Sequence, residues 1–371
     1  MNRTNCRLCN GGLRRVLELT PTPVANSFPD KPYMGKKYPL NLMECVCCGH
    51  VQGEHVVPVD ELYGDYRYVT PDAMQKHWRD YAAKLKKRYP SAKRILEIGC
   101  NDGKMLQEIR SRFNAGVGID PAHEGEHIIK GFFSHEKAKE LRSSIGKFDL
   151  IVANNVFAHI DDLQDTFKGV EWLLDRAGSL VFEVQYLPDL VASCAFDTIY
   201  HEHHDYHKIG PLQKFVRKFG LEIKRVERFP VHGGSIRVHA KRAPQSSRVF
   251  AEKVDWKSFA SRIEQMKQDT LEALEGKEHV KMFGAPAKAT TLIHHFGIER
   301  FLSYAVDSTP QKHNRYIPGT AIKILPEETL VQSKSTTEMF LAAWNYRDFV
   351  QKKYPDIYFI VPGEQRMRLA A

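Results

Sequence analysis

Three groups of residues in this chain have the types and spacings that chemistry requires. Cys6-Arg7-Leu8-Cys9 and Cys45-Val46-Cys47-Cys48 are C-x-x-C knuckles separated by residues 10–44. Each knuckle can put two thiolates on one ion. Together Cys6, Cys9, Cys45 and Cys48 make the closed tetrahedral shell of a structural zinc, with no open position for a substrate. Cys47 is the surplus thiol, and disulfides are the alternative reading. The second group lies in Arg94-Ile95-Leu96-Glu97-Ile98-Gly99-Cys100-Asn101-Asp102-Gly103. A short apolar run there breaks into a turn where Gly99 and Gly103 let the backbone approach a ligand, with Glu97, Asn101 and Asp102 beside it. Asp120 ends the next apolar run and is placed to hold ribose hydroxyls. The third group is Tyr200-His201-Glu202-His203-His204-Asp205-Tyr206-His207, which holds four of the chain's 17 histidines. Imidazole titrates near neutrality, a carboxylate beside it can hold its tautomer, and a tyrosine can donate to a developing oxyanion, so proton transfer is the expected chemistry. His203 and His207 stand at i, i+4 as metal ligands would, but the full H-E-x-x-H pattern is absent. A polar surface loop is the remaining alternative.

These groups need elements to bring them together. Buried-strand patterns at 94–98, 115–119, 148–153 and 178–184 alternate with helix patterns and predict a parallel, doubly wound sheet. Its carboxyl edge would gather Asp102, Asp120, Asn154, Asn155 and Glu183 around one crevice. Ahead of it, Pro21, Pro23, Pro29, Pro32 and Pro39 between the knuckles predict a loop-rich lobe that depends on metal for order. Tyr66 and Tyr68, in an aromatic stretch before a helix capped at Thr70-Pro71-Asp72, either line a pocket or pack the lobe against the next domain. After the histidines come a helix pattern at 211–219 and strands at 222–228 and 235–241, bridged by His232-Gly233-Gly234. The hydrophilic segment 242–248 reads as a linker. The last hundred residues repeat the α/β theme, with Lys288 near a helix amino terminus as a candidate anion site. That last lobe reads as a nucleotide-holding unit, with a structural or dimerising lobe as the alternative.

At 371 residues the chain exceeds what a single core usually organises. The expected division is a zinc lobe at 1–70, a central α/β domain at 71–245 and a second α/β domain at 246–371. No apolar run approaches the roughly 18 residues needed to span a bilayer, and the first residues lack a signal-peptide core. A cytoplasmic protein without membrane partners is therefore expected. The net charge of +9 is interspersed with acidic residues and forms no basic block. Such a balance points away from nucleic acid and suits a small polyanion such as a nucleotide diphosphate.

Taken in order, several motifs resemble one family along the whole chain. They are the two knuckles, Leu96-Glu97-Ile98-Gly99-x-Asn101-Asp102-Gly103, Tyr200-His201-Glu202-His203, His232-Gly233-Gly234-Ser235-x-Arg237-Val238 and Gly284-Ala285-x-Ala287-Lys288. The family is that of the S-adenosylmethionine (SAM)-dependent sugar C-methyltransferases of deoxysugar biosynthesis, such as the 3-C-methyltransferases of nucleotide-linked 4-keto-6-deoxyhexoses. The resemblance implies an α/β fold: a class I SAM methyltransferase Rossmann-like core flanked by a small amino-terminal four-cysteine zinc lobe and a second Rossmann-like carboxyl-terminal domain. It implies SAM at Glu97, Gly99, Asn101, Asp102, Gly103, Asp120 and Asn154, a structural Zn2+, and a nucleotide-diphosphate sugar as substrate. It further implies His203 as the base, with Tyr200 and Glu202 around the sugar. The expected substrate contacts are Tyr66, Tyr68, Asn155, Glu183, His201, His232, Gly233 and Lys288. This chain departs from the family's usual residues at His204, Asp205, Tyr206, His207 and Lys208, and at Ala289-Thr290 after Lys288.

The implied chemistry explains these residue types. SAM supplies an electrophilic methyl group, but an unactivated sugar carbon is no nucleophile. A 4-keto group makes the C3 proton removable as an enolate, and the enzyme must supply a base and oxyanion donors. An O- or N-methyltransferase, or a non-catalytic SAM-binding protein, would need no carbon-acid base. A monomer or weak dimer is expected.

Overall fold

Residues 2–63, 74–246, 250–332 and 337–364 are described by the computed structural model. Tyr66, Tyr68 and the proposed cap at 70–72 lie outside them, as does the side chain of His232.

The amino-terminal lobe is a sheet rather than the loop-rich unit that its prolines suggest. In β1 (Leu13–Thr22) Leu17 and Leu19 point inward while Arg14, Arg15, Glu18 and Thr20 point out, which is the period of a half-buried strand. It pairs antiparallel with β2 (Tyr38–Cys45), which pairs with β3 (Val51–Gly53). Most of the prolines fall in the connection between β1 and β2. Pro21 sits near the end of β1, an edge strand where a missing N–H is tolerated. A short helix, α1 (Val59–Tyr63), closes the described part of the lobe.

The central domain follows as α2 (Gln75–Arg88), β4 (Ile95–Ile98), α3 (Lys104–Phe113), β5 (Val117–Asp120), β6 (Ile128–Lys130), α4 (His135–Ser144), β7 (Phe148–Asn154), α5 (Leu163–Leu173) and β8 (Leu174–Gln185). After α6 (Leu187–Ala192) and β9 (Asp205–Tyr206) come α7 (Ile209–Arg217), β10 (Leu221–Phe229) and β11 (Ser235–Arg242). The strand order is β10-β11-β8-β7-β4-β5-β6, parallel except for β11, which runs antiparallel to both neighbours. The expected doubly wound core is therefore present. Its central strands β4 and β7 carry apolar residues on both faces. Ile95, Leu150 and Val152 pack against Trp78, Tyr81 and Ile109 of α2 and α3. Leu96, Ile151 and Ala153 pack against Leu141, Phe167 and Phe215 of α4, α5 and α7. The chain runs outward from β4 to β5 and β6 and then crosses back to β7 on the other side of β4, so a crevice opens at the carboxyl end of β4.

The carboxyl-terminal domain comprises α8 (Trp256–Leu274), β12 (Val280–Phe283), α9 (Lys288–Phe296), β13 (Leu302–Asp307), β14 (Lys323–Pro326), α10 (Thr329–Gln332), β15 (Glu338–Leu341), α11 (Arg347–Lys353) and β16 (Tyr358–Ile360). Its five parallel strands take the order β14-β13-β12-β15-β16, a second Rossmann-like sheet.

The segment after β8 joins all three parts. Strand β9 adds to the amino-terminal sheet beside β3. Leu190, Phe196 and Ile199 share one apolar cluster with Leu17 and Leu40 of that lobe and with Ile293 and Phe296 of α9. No helix among the described residues is long and apolar enough to cross a membrane.

Candidate functional site

The four sulfurs of Cys6, Cys9, Cys45 and Cys48 lie within 4.8 Å of one another. The Cys9–Cys45 and Cys6–Cys48 pairs stand at 3.4 and 3.6 Å. Tetrahedral zinc with Zn–S bonds of about 2.3 Å requires S···S separations near ~3.8 Å, so the donor set fits the ion. The backbone N–H groups of Cys47 and Cys48 both donate to Cys45 Sγ at 3.4 Å, while Cys47 itself is exposed and outside the cluster.

At the carboxyl end of β4 the chain turns through positive φ at Gly99 (67°), Asn101 (49°) and Gly103 (79°). A Cβ on Gly99 would lie 2.5 Å from Val156 Cγ2, so only glycine lets the loop after β7 approach this closely. Asp120 fastens the turn. Its Oδ2 accepts from the Asn101 N–H at 2.8 Å, and its Oδ1 accepts from the Ala122 N–H at 2.9 Å. Glu97 is buried in β4, and its Oε1 accepts from Asn154 Nδ2 at 3.4 Å. Burial pushes its carboxyl up to about 8. Asn154 opposes that shift, and the charges of Asp120 and Asp102 add to it. Glu97 Oε2, Asp102 Oδ1 and Asn154 Oδ1 are buried with no hydrogen-bond partner among the described residues. Buried acceptors left open cost free energy unless a ligand brings donors. SAM, with a cationic methionine end, fits that requirement.

The histidine cluster divides by burial. His201, His204 and His207 are buried, and burial lowers the pKa of each to about 4, about 3 and about 4. His201 Nε2 meets the Pro39 carbonyl at 3.2 Å. Asp205 is fully enclosed by Arg7 and by His50, whose Nε2 lies 2.7 Å from it. Glu202 is also buried, and its Oε1 accepts from the backbone and side chain of Asn26 at 2.9 and 3.1 Å. Tyr200 and His203 are only half-buried. The Tyr200 hydroxyl lies 2.9 Å from His203 Nε2, and His203 Nδ1 lies 2.8 Å from the Thr198 carbonyl oxygen. A carbonyl can only accept, so Nδ1 carries the proton and Nε2 presents its lone pair. The ring of His159, from the loop after β7, meets that of His203 edge-on at 4.8 Å. Burial lowers the pKa of His159 to about 4, against a hydrogen bond to the Glu202 carbonyl.

Other candidates are engaged elsewhere. Glu183 accepts from Arg237 Nε at 2.7 Å and lies 2.9 Å from His77 Nε2, so the expected substrate contact gives way to a buried ion pair. His201 likewise sits against the amino-terminal lobe. Asn155 takes φ of 52° and donates its N–H to the Glu183 carbonyl at 2.8 Å. Lys288 does begin α9, but its Nζ lies 3.2 Å from Asp197 Oδ2 in a buried pair. Asn345 accepts from Lys288 Nζ, and a Cβ on Gly233 would stand 3.0 Å from Asn345 Nδ2. The structure therefore brings Gly233 and Lys288 to one junction between the two α/β sheets. His159, Asn345 and Asp197 were not among the expected residues. For His159 the signal existed: it lies shortly after a strand whose carboxyl end faces the crevice, as Asn155 does.

Three family models match consecutive parts of the chain. A "Putative zinc binding domain" covers residues 6–63, a "Methyltransferase domain" residues 72–226 and a "C-methyltransferase C-terminal domain" residues 230–361. The chain is 30% identical to the C-methyltransferase NovU of Streptomyces niveus over 377 residues, spanning 92% of this chain and 90% of that protein. It is 32% identical over 120 residues to a ubiquinone biosynthesis O-methyltransferase of Azorhizobium caulinodans, spanning 30% of this chain and 44% of that one. Among solved structures, magnesium protoporphyrin IX methyltransferase from Synechocystis PCC 6803 matches with a TM-score of 0.35 and 16% identity, over 46% of this chain and 83% of that one.

Proposed function

Because this chain belongs to the SAM-dependent C-methyltransferases, we propose that its methyl acceptor is C3 of a nucleotide-linked 4-keto-deoxysugar and that His203 removes the proton from that carbon. The observation that most supports this reading is the pair of partners on the two ring nitrogens of His203. Its Nδ1–H is committed to the Thr198 carbonyl, which leaves Nε2 as a base beside the hydroxyl of Tyr200. On substrate binding, Tyr200 would turn its hydroxyl from Nε2 to the keto oxygen, freeing the lone pair and donating to the enolate oxygen as charge develops there. His159, kept neutral, stands against the base from the β7 loop. Glu202, between Tyr200 and His203 in sequence, ties the segment to Asn26 of the amino-terminal lobe.

When bound, SAM would supply an electrophilic methyl group, with its sulfur as the leaving group that keeps the C–S electron pair. Glu97, Asp102 and Asn154 with the Gly99–Gly103 turn would hold its methionine end, and Asp120 its ribose. The nucleotide half of the acceptor is assigned to the carboxyl-terminal sheet. That sheet repeats the arrangement of the first: Gly284 turns at φ of 83° after β12, and Asp307 at the end of β13 accepts from the Ala285 N–H at 2.8 Å.

The test is incubation with SAM and a panel of nucleotide 4-keto sugars in deuterated water, reading the mass and position of the added methyl and deuterium at the carbon beside the ketone. The parent should methylate that carbon, and His203→Ala should lose about 10²–10⁴-fold in turnover with SAM affinity unchanged. Methylation of an oxygen or nitrogen, or a His203→Ala variant near the parent rate, would reject the proposal.

A further inference from the structure

We propose that Arg7, which stands between the first two cysteines of the zinc shell, is a positioning residue that holds His159 and His203 in register. The metal-ordered knuckle thereby sets the geometry of proton transfer. The catalytic meaning of this assignment rests on the reading of His203 as base. The geometry stands apart from that reading.

The Arg7 side chain is 3% exposed and reaches from the knuckle to both histidine-bearing loops. One terminal nitrogen donates to Asp205, two residues after His203. The other donates to the carbonyls of Ile160 and Asp161, the residues that follow His159, the second of these at 2.6 Å. The backbone of Arg7 is itself held. Its N–H donates to Gln52 Oε1 at 2.9 Å, and its carbonyl accepts from Gln164 Nε2 at 3.1 Å. His50, just past the second knuckle, closes on the other oxygen of Asp205 at 2.7 Å. On the far side the His204 N–H donates to the Ala158 carbonyl at 2.7 Å, and the His159 ring bonds the Glu202 carbonyl. The two loops are thus pinned on both sides, and on the side of the knuckle the pin is a planar guanidinium whose fork reaches both at once. A lysine ammonium is a single flexible charge and cannot reproduce that fork. Displacing a catalytic group by about 1 Å can cost on the order of 10²-fold in rate, so a link of this kind bears on turnover rather than on cofactor binding.

The experiment is Arg7→Lys in the zinc-loaded full chain, with Arg14→Ala as control, since Arg14 lies in the same lobe with a side chain 64% exposed and touches neither loop. Four quantities are read: zinc content, SAM affinity by calorimetry, turnover, and the ring ¹⁵N signals of His159 and His203 in histidine-labelled protein. The expected result is unchanged zinc and SAM affinity, displaced signals for both rings, and turnover lower by on the order of 10²-fold, with Arg14→Ala like the parent. Ring signals at their parental positions would overturn the proposal. If Arg7→Lys does not fold, Asp205→Asn tests the same link from its other end: displaced His203 signals with SAM affinity intact support it, and parental signals overturn it. Should the parent methylate no 4-keto sugar nucleotide, the base assignment falls, while the ring signals, which require no substrate, still decide the role of Arg7.

Discussion

Glu97 carries a carboxyl that burial keeps protonated at neutral pH, with one oxygen left without a hydrogen-bond partner among the described residues. A cationic methionine end placed there favours the carboxylate and lowers its pKa again. SAM binding at pH 7 should therefore release close to one proton, and affinity should rise with pH from about 6 towards 8. Calorimetry in buffers of different ionisation enthalpy measures the release directly. Glu97→Gln should abolish it and flatten the pH dependence, and a parent that releases no proton would remove Glu97 from the cofactor site. The same shift has a sign in stability. The folded state holds this proton where the unfolded chain, near 4.5, has lost it, so the contribution of Glu97 to stability falls as pH rises from about 4.5 to about 8. At this scale the sequence was informative wherever spacing itself encodes the chemistry, as in the cysteine pairs and the glycine turn. It said less where a role depends on distant partners. Nothing local distinguishes His203, half open beside Tyr200, from His201 or His207, which pack as neutral buried rings. Arg7 reads as filler in a knuckle until Asp205 is seen against it.

The β4 turn is the element on which the proposed cofactor site depends, and its shape follows from Gly99 and Gly103. Gly99→Ala adds a Cβ in the left-handed region and presses it onto Val156, which comes from a different strand's loop. The expected loss is about 1–3 kcal/mol of stability, read by denaturant titration, together with weaker SAM binding. An alanine variant as stable as the parent would mean that the turn relaxes and does not fix the loop after β7. The core strands were legible because strands buried on both faces are continuous apolar runs, as in β4 and β7. The amino-terminal sheet was not, since its prolines outweighed the alternation in β1. Strand β9 had no signal at all. It is two residues long, exists through its pairing with β3, and places the residues after His203 on the zinc lobe. An element made by tertiary pairing leaves no periodicity to read.

At the scale of the whole chain, the shared apolar cluster makes the three parts one cooperative unit, because separating any of them exposes Leu40, Phe196 or Phe296. Removing zinc with a chelator should therefore lower the melting temperature of the entire chain in a single transition, whereas an independent melting of the first lobe would show that the cluster does not couple them. The buried pair of Lys288 and Asp197 tests the same coupling at a point. Asp197 is fully buried in the turn after α6, next to Thr198, whose carbonyl meets His203. Its Oδ2 accepts from Trp344 Nε1 at 2.7 Å and faces Lys288 Nζ at 3.2 Å. Lys288→Met would leave that carboxylate, among the described residues, with the indole N–H alone, and removing one partner of a buried pair typically costs about 3–5 kcal/mol. The double variant Lys288→Met with Asp197→Asn removes the stranded charge and should recover a substantial part of that loss in denaturant titration. An anion anchor behaves differently: Lys288→Met would then unfold like the parent and raise the KM for the sugar nucleotide alone. Since the ammonium already faces a carboxylate inside the interface, the stability loss is the expected outcome.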